Sequence, residues 1–232
     1  MEKRVLPEPD HFATCPVDGK ILDYYRNVFE AAYVSLHPFI KPISISKTLF
    51  EPETYPDRAT VAAHAIAVPW TEVVRLTGLP SIAAVDIGLK TGIGALRAVF
   101  AREDYADRLG ALFESDGILV PSEGEFSDLV HDRVLRAIQS LGHQWVWIGD
   151  EFGTERKLYW IDDLYSKKPD ATAGHCNVFT PDHSLLWTTH WDSHFSLICG
   201  SKPDLVSIVA SAGLEGFYCG EETGIIWSID AP

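Results

Sequence analysis

The chain has 232 residues, 46% of them hydrophobic and 22% charged, and 19 basic against 33 acidic side chains leave a net charge of −14. A chain of this length buries about 70% of its unfolded surface, enough to fold without disulfide or metal staples. The composition excludes disorder, a collagen or coiled-coil rod and a disulfide-rich mini-protein. Residues 1–143 hold 14 basic and 20 acidic residues and residues 144–232 hold 5 and 13, so neither half supplies a basic lobe. Non-specific nucleic-acid affinity comes mainly from Lys and Arg releasing counterions, so duplex DNA is expected to bind weakly or not at all. The acidity reads as a solvated, self-repelling surface.

Cys15, Cys176, Cys199 and Cys219 form no C-x-x-C pair. Cys199 and Cys219 end apolar runs, where a reduced Cys packs as a small hydrophobe. Residues 1–7 lack the apolar stretch of a signal peptide. No run approaches the roughly 18 apolar residues of a membrane span. A cytoplasmic protein with free thiols and no membrane contact is expected.

Residues 1–20, with Pro7, Pro9, Pro16 and Gly19, read as an arm. Ile21, Leu22, Tyr25, Val28, Phe29, Ala32 and Leu36 recur at helical spacing, and Pro38 stops the run. Residues 43–50 alternate like a strand, 51–60 read as a loop, and 61–68 suit helix or strand. A helix is predicted from Pro69 to Gly78, since Pro fits a first helical turn. Residues 81–102 are punctuated by glycine and end in a short helix at 95–102. Further elements are a helix from Asp104 to Phe113 and a strand at Ile118–Val120. A helix at 123–141 follows, capped by the Ser122–Glu125 box and stopped by Gly142.

Six of the seven Trp lie beyond residue 143, and aromatic residues favour strands. Strands are predicted near 144–149, 174–180, 184–191, 194–199, 214–219 and 224–229, with a turn at Thr180–His183. A helix at 202–212 is capped by Ser201 and ended by Gly213. The expected fold is α+β: a mostly helical N-terminal lobe, 1–143, packed on a C-terminal antiparallel sheet, 144–232, with one inserted helix. The whole chain, 1–232, is taken as a single domain.

The densest polar constellation is His190-Trp191-Asp192-Ser193-His194. On a continuous strand His190, Asp192 and His194 share one face, and two imidazoles with a carboxylate suit a metal or an acid–base pair. The competing readings are a solvated strand face, or a turn at Asp192-Ser193 that breaks the shared face. One strand seldom supplies a whole metal site, so no stoichiometric metal and no cofactor are expected. Trp187 and Trp191 are expected to line the largest pocket beside the histidines, and Trp145, Trp147 and Trp227 to be core. The ligand-binding candidates are therefore Trp187, His190, Trp191, Asp192 and His194.

Residues 72–85 resemble a bacterial helix-turn-helix, with Gly78 in the turn and Ser81 capping the second helix. Residues 82–89 offer no Arg, Lys, Gln or Asn to read base edges. Lys90-Thr91 precedes Gly92 and Gly94, the wrong order for a phosphate loop. His175 and Cys176 are chain neighbours and point apart on a strand.

Three C-terminal stretches, Asn177–Asp182, Trp187–Phe195 and Gly213–Cys219, resemble an uncharacterised family of small bacterial proteins with a domain-of-unknown-function label. The resemblance covers about the last 60 residues and implies a bacterial cytoplasmic protein. The expected function is non-catalytic binding or regulation with a protein or small-molecule partner. The alternatives are a helix-turn-helix regulator using residues 70–90 and a metal- or His-dependent hydrolase using His190, Asp192 and His194.

Overall fold

Residues 31–36, Ala-Ala-Tyr-Val-Ser-Leu, form a strand and not the end of a helix. In the computed structural model, which describes residues 9–165 and 171–230, all six are buried. Tyr33 faces one apolar cluster; Ala32, Val34 and Leu36 face another. A strand covered on both faces reads as a continuous apolar run, which periodicity does not separate from a buried helix. Only Ile21–Tyr24 of the predicted helix is helical (α1).

That strand, β1 (Ala31–Leu36), belongs to a sheet of seven described strands. The others are β4 (Trp145–Asp150), β5 (Arg156–Trp160), β6 (Cys176–Phe179), β7 (Leu186–Thr189), β8 (Phe195–Gly200) and β9 (Gly216–Tyr218). Their order is β5-β4-β6-β7-β8-β1-β9, and every neighbouring pair is antiparallel. β2 (Phe39–Pro42) and β3 (Ala65–Val68) form a separate hairpin-like pair. The fold is thus α+β, with the N-terminal half supplying one of the inner strands of the C-terminal sheet.

Helices cover both faces. On one, Val34, Leu36, Phe179, Leu186, Phe195 and Leu197 pack on α3 (Trp70–Thr77), α4 (Ile82–Gly92) and α5 (Glu103–Asp116) through Trp70, Val73, Val85, Leu89 and Leu109. On the other, Tyr33, Val146, Val178, Trp187 and Ile198 pack on α6 (His131–Ser140) and α7 (Lys202–Ala212). Trp187 is 1% exposed, and enclosing an indole of roughly 200 Å² contributes about 5 kcal/mol on area grounds.

The local turn signals hold. Gly78 and Gly213 close α3 and α7 in the left-handed conformation, and Ser201 caps α7 through the Asp204 N–H. α3, Gly78 and α4 follow the helix-turn-helix outline, with Ser81 capping Ala84. The second helix, however, is not available to DNA. Ala84, Val85, Asp86, Gly88, Leu89 and Lys90 are all buried, and Ile82 and Ile87 are half-buried. α3, α5 and α8 (Trp227–Asp230) pack around it. A Cβ on Gly88 would meet Leu109 Cδ1 at 2.8 Å, so α5 packs directly against this helix.

Tertiary contacts override several sequence signals. The predicted helix at 123–141 starts only at His131. Gly124 is left-handed, donates its N–H to Ser193 O at 2.9 Å and accepts from Thr189 Oγ1 at 2.9 Å. Docking on the β7–β8 turn therefore wins over the capping box. The strand predicted at 224–229 is instead α8, docked on α4. Residues 43–50 lack a partner strand and contain a 3-10 turn at Lys47–Leu49, capped by Ser46. Residues 58–64 form α2 (Arg58–His64), which runs into β3. Residues 95–102 are not helical, and β5 carries no alternation that reveals it.

A fragment beginning at residue 144 lacks β1 and with it the partner of both β8 and β9. It is expected to show no cooperative unfolding by circular dichroism, where the full chain unfolds in one transition. A folded, monomeric fragment would show that the C-terminal strands form a sheet without β1.

Candidate functional site

Antiparallel order places chemistry at the two opposite ends of the sheet. At one end lie the exit of β7, the entry of β8 and the exit of β1. β7 stops at Thr189, and residues 190–193 turn into β8. His190, Asp192 and His194 therefore do not share a strand face. His190 Nε2 lies 3.1 Å from Val17 O, and its Nδ1 accepts the Asp192 N–H at 3.2 Å. Burial lowers its pKa, against the hydrogen bond to Val17. A neutral ring with Nε2–H donating satisfies both contacts, so His190 staples the turn to the N-terminal segment.

Lys90, on α4, reaches the same turn. Its Nζ donates to Asp192 O at 3.0 Å and to Ser193 Oγ at 3.3 Å, and lies 3.4 Å from Asp86 Oδ1. Both charges are essentially enclosed, with side chains 3% and 0% exposed. Among the described residues neither Asp86 oxygen has a hydrogen-bond partner, so Lys90 is its compensation. Breaking such a pair costs about 3–5 kcal/mol, because one charge is left buried alone. His37 and His194 sit side by side where β1 meets β8, the His37 N–H donating to His194 O at 3.0 Å. Among the described residues neither ring nitrogen of His37 has a hydrogen-bond partner, nor does His194 Nδ1. Burial holds the His37 pKa at about 3; burial, the charge of Lys90 and His37 hold that of His194 at about 3.

Trp187 lies beneath this junction, stacked on Phe126 at 3.7 Å between ring centres, its Nε1–H donating to Ser196 Oγ at 3.0 Å. Trp191 is half-buried against His190. The junction is thus a packed polar seam. Among the described residues no group of three or more His, Cys, Asp or Glu is arranged to hold a metal. Burial raises the thiol pKa values of Cys15, Cys199 and Cys219, which keeps them protonated and poorly nucleophilic.

The open cleft is at the other end, where β4 begins, β5 ends and the 180–183 turn leaves β6. It is a shallow depression of about 410 Å³, widely open to solvent and lined by Gly142, His143, Gln144, Trp145, Trp160, Pro181 and Asp182. Trp145 is not core: it is 43% exposed. The register pairs it with Trp160, and the two rings meet at 85° with centres 4.8 Å apart. Trp160 Nε1–H donates to Asp162 Oδ2 at 3.0 Å, which fixes the ring. Asp182 Oδ1 accepts the Ser184 N–H at 3.1 Å and hydroxyl at 2.8 Å. Burial alone raises its pKa, but hydrogen bonds from Thr180 and Ser184, with His143 nearby, outweigh burial and hold it at about 2. The expectation of a core Trp145 fails because Trp145 begins β4 opposite Trp160 of the edge strand β5, and the pair lines the open cleft. A second open cavity, of about 480 Å³, lies beside Lys20, Glu222, Ile225, Ile226 and Ile229.

His37 and His194 are neutral in the fold and take up protons on unfolding below the ordinary histidine value of 6.5. Their contribution is complete above about pH 6.5 and is lost as pH falls toward about 3, by up to about 1.4 kcal/mol per unit for each ring. His37→Leu is expected to flatten the dependence of the urea midpoint on pH between about 7 and 5. An unchanged slope would show that His37 is already charged or solvated in the native state.

A family model described as "Protein of unknown function (DUF2711)" matches residues 17–229, a far wider span than the C-terminal 60 residues that carry the sequence resemblance. The chain is 25% identical over 174 residues to the "Uncharacterized protein YwbB" of Bacillus subtilis (strain 168), covering 75% of this chain and 77% of that protein. No solved structure matches it. With the match running from the arm before α1 to the last helix, the chain belongs to the DUF2711 family of proteins of unknown function.

Proposed function

We propose that this is a bacterial, cytoplasmic, non-catalytic binding protein whose small-molecule ligand sits in the cleft between Trp145 and Trp160. The observation that carries the reading is the half-open indole corner beside an ionised carboxylate, in a cleft of about 410 Å³. Ligand sites are mostly concave, aromatic and supplied with a few placed polar groups. None of the described lining residues is a Ser, Thr, Cys or Lys nucleophile. At the opposite end of the sheet, His190 and Lys90 are engaged in holding the β7–β8 turn. Their chemistry is accounted for by folding, which weakens the hydrolase reading. A relative in Bacillus subtilis supports a bacterial origin. No described helix is long and apolar enough to cross a membrane.

A thermal-shift screen of the full chain against pooled bacterial metabolites tests the reading. Compounds that raise the melting temperature are expected to lose most of that effect in Trp145→Ala and to keep it in Asp192→Asn. The opposite pattern would move the site to the β7–β8 turn and sink the cleft.

A further inference from the structure

We infer that the cleft takes an organic cation, a quaternary or alkylated ammonium head group seated against the Trp145 and Trp160 rings with Asp182 as its counter-charge. This deepens, and rests on, the binding reading above. Indole has the strongest attraction for cations of the aromatic side chains, because its faces carry negative potential. Here two indoles stand at 85° and form two walls of a corner. A roughly spherical ammonium group can meet both walls, whereas a flat aromatic ligand can stack on only one.

The surrounding charges have the matching sign. Asp182 is held ionised and is itself exposed. Ser184 occupies its Oδ1. Asp162 accepts the Trp160 N–H, and a carboxylate on that hydrogen adds electron density to the ring. None of the described lining residues is Lys or Arg, and His143 is the one lining side chain able to carry positive charge. The net charge of −14 raises the local concentration of cations and repels anions at long range. A neutral sugar would also meet indole faces, but it would draw nothing from the carboxylates or from the net charge. Charge is therefore what separates the two ligand classes.

The probes are choline, tetramethylammonium, the neutral choline analogue with tert-butyl in place of trimethylammonium, and glucose. Each is titrated into the full chain in low-salt buffer while the seven indole N–H resonances are followed by NMR. Choline and tetramethylammonium are expected to move the Trp145 and Trp160 resonances, and the neutral analogue to bind about tenfold more weakly, the ratio of a cation–π and ion-pair contribution of this kind. Asp182→Asn keeps the acceptor for Ser184 and is expected to weaken choline by a similar factor, with the other five indole resonances unmoved as the check on folding. If the neutral analogue or glucose moves the same two resonances as strongly as choline, the cation inference is overturned and the binding reading survives. If Asp182→Asn binds choline unchanged, or both cations leave the two resonances unmoved, the cation inference is overturned. The binding reading then stands or falls on the metabolite screen.

Discussion

The pairing of β1 with both β8 and β9 is the contact on which the rest of the structure depends. It runs from Ala31 opposite Gly200 to Leu36 opposite Phe195 on one side, and from Tyr33 to Ser35 on the other. β1 comes from the N-terminal half and its partners from the C-terminal half. α3, α4 and α5 are thereby placed over one face of a sheet whose next strand begins more than a hundred residues after β1. Each residue of β1 is buried, so its backbone groups must be satisfied within the sheet. The left-handed cradle at Gly216, where a Cβ would fall 1.9 Å from Val34 O, shows how closely β9 must approach to do so.

Covering both faces makes the ends of the sheet the places where polar chemistry gathers. At the β7–β8 end the solution is enclosure. Lys90, Asp86, Ser193, His190, His194 and His37 come from a helix, a turn and two strand ends, and they hold these elements in register. Gly124 fits this seam only because it lacks a side chain: a Cβ would lie 2.3 Å from His175 Cε1. Such buried ionic groups add little net stability against an apolar alternative. What they supply here is the position of the turn against α4.

At the β4–β5 end the solution is exposure. β5 is an edge strand with Arg156, Lys157 and Leu158 exposed, and basic side chains on an edge discourage pairing with another chain. There Trp145 and Trp160 are paired across the two strands and line the open cleft. An aromatic pair gains its mutual contact, about 0.5–1.5 kcal/mol beyond area, even when half exposed. The ring contact and the Trp160–Asp162 hydrogen bond together restrict the rotamers open to the two indoles.

Local steric rules determined what the sequence by itself could show. Pro69 and Gly78 bound α3, Ser201 and Gly213 bound α7, and the segments around Trp147, Val178, Trp187 and Ile198, rich in aromatic and β-branched residues, form strands. These signals need only residues within one turn or one pleat of each other. Tertiary structure alone decided the rest. It made Ala31–Leu36 a strand, because both its faces are covered. It unwound 123–130, because Gly124 finds better hydrogen bonds on the β7–β8 turn than in a helix. It turned the His190–His194 run from a shared face into a staple, because β7 ends at Thr189. It set Trp145 in the open, because its cross-strand partner Trp160 lies on the edge strand β5, and strand order is fixed by long-range pairing that no local window contains.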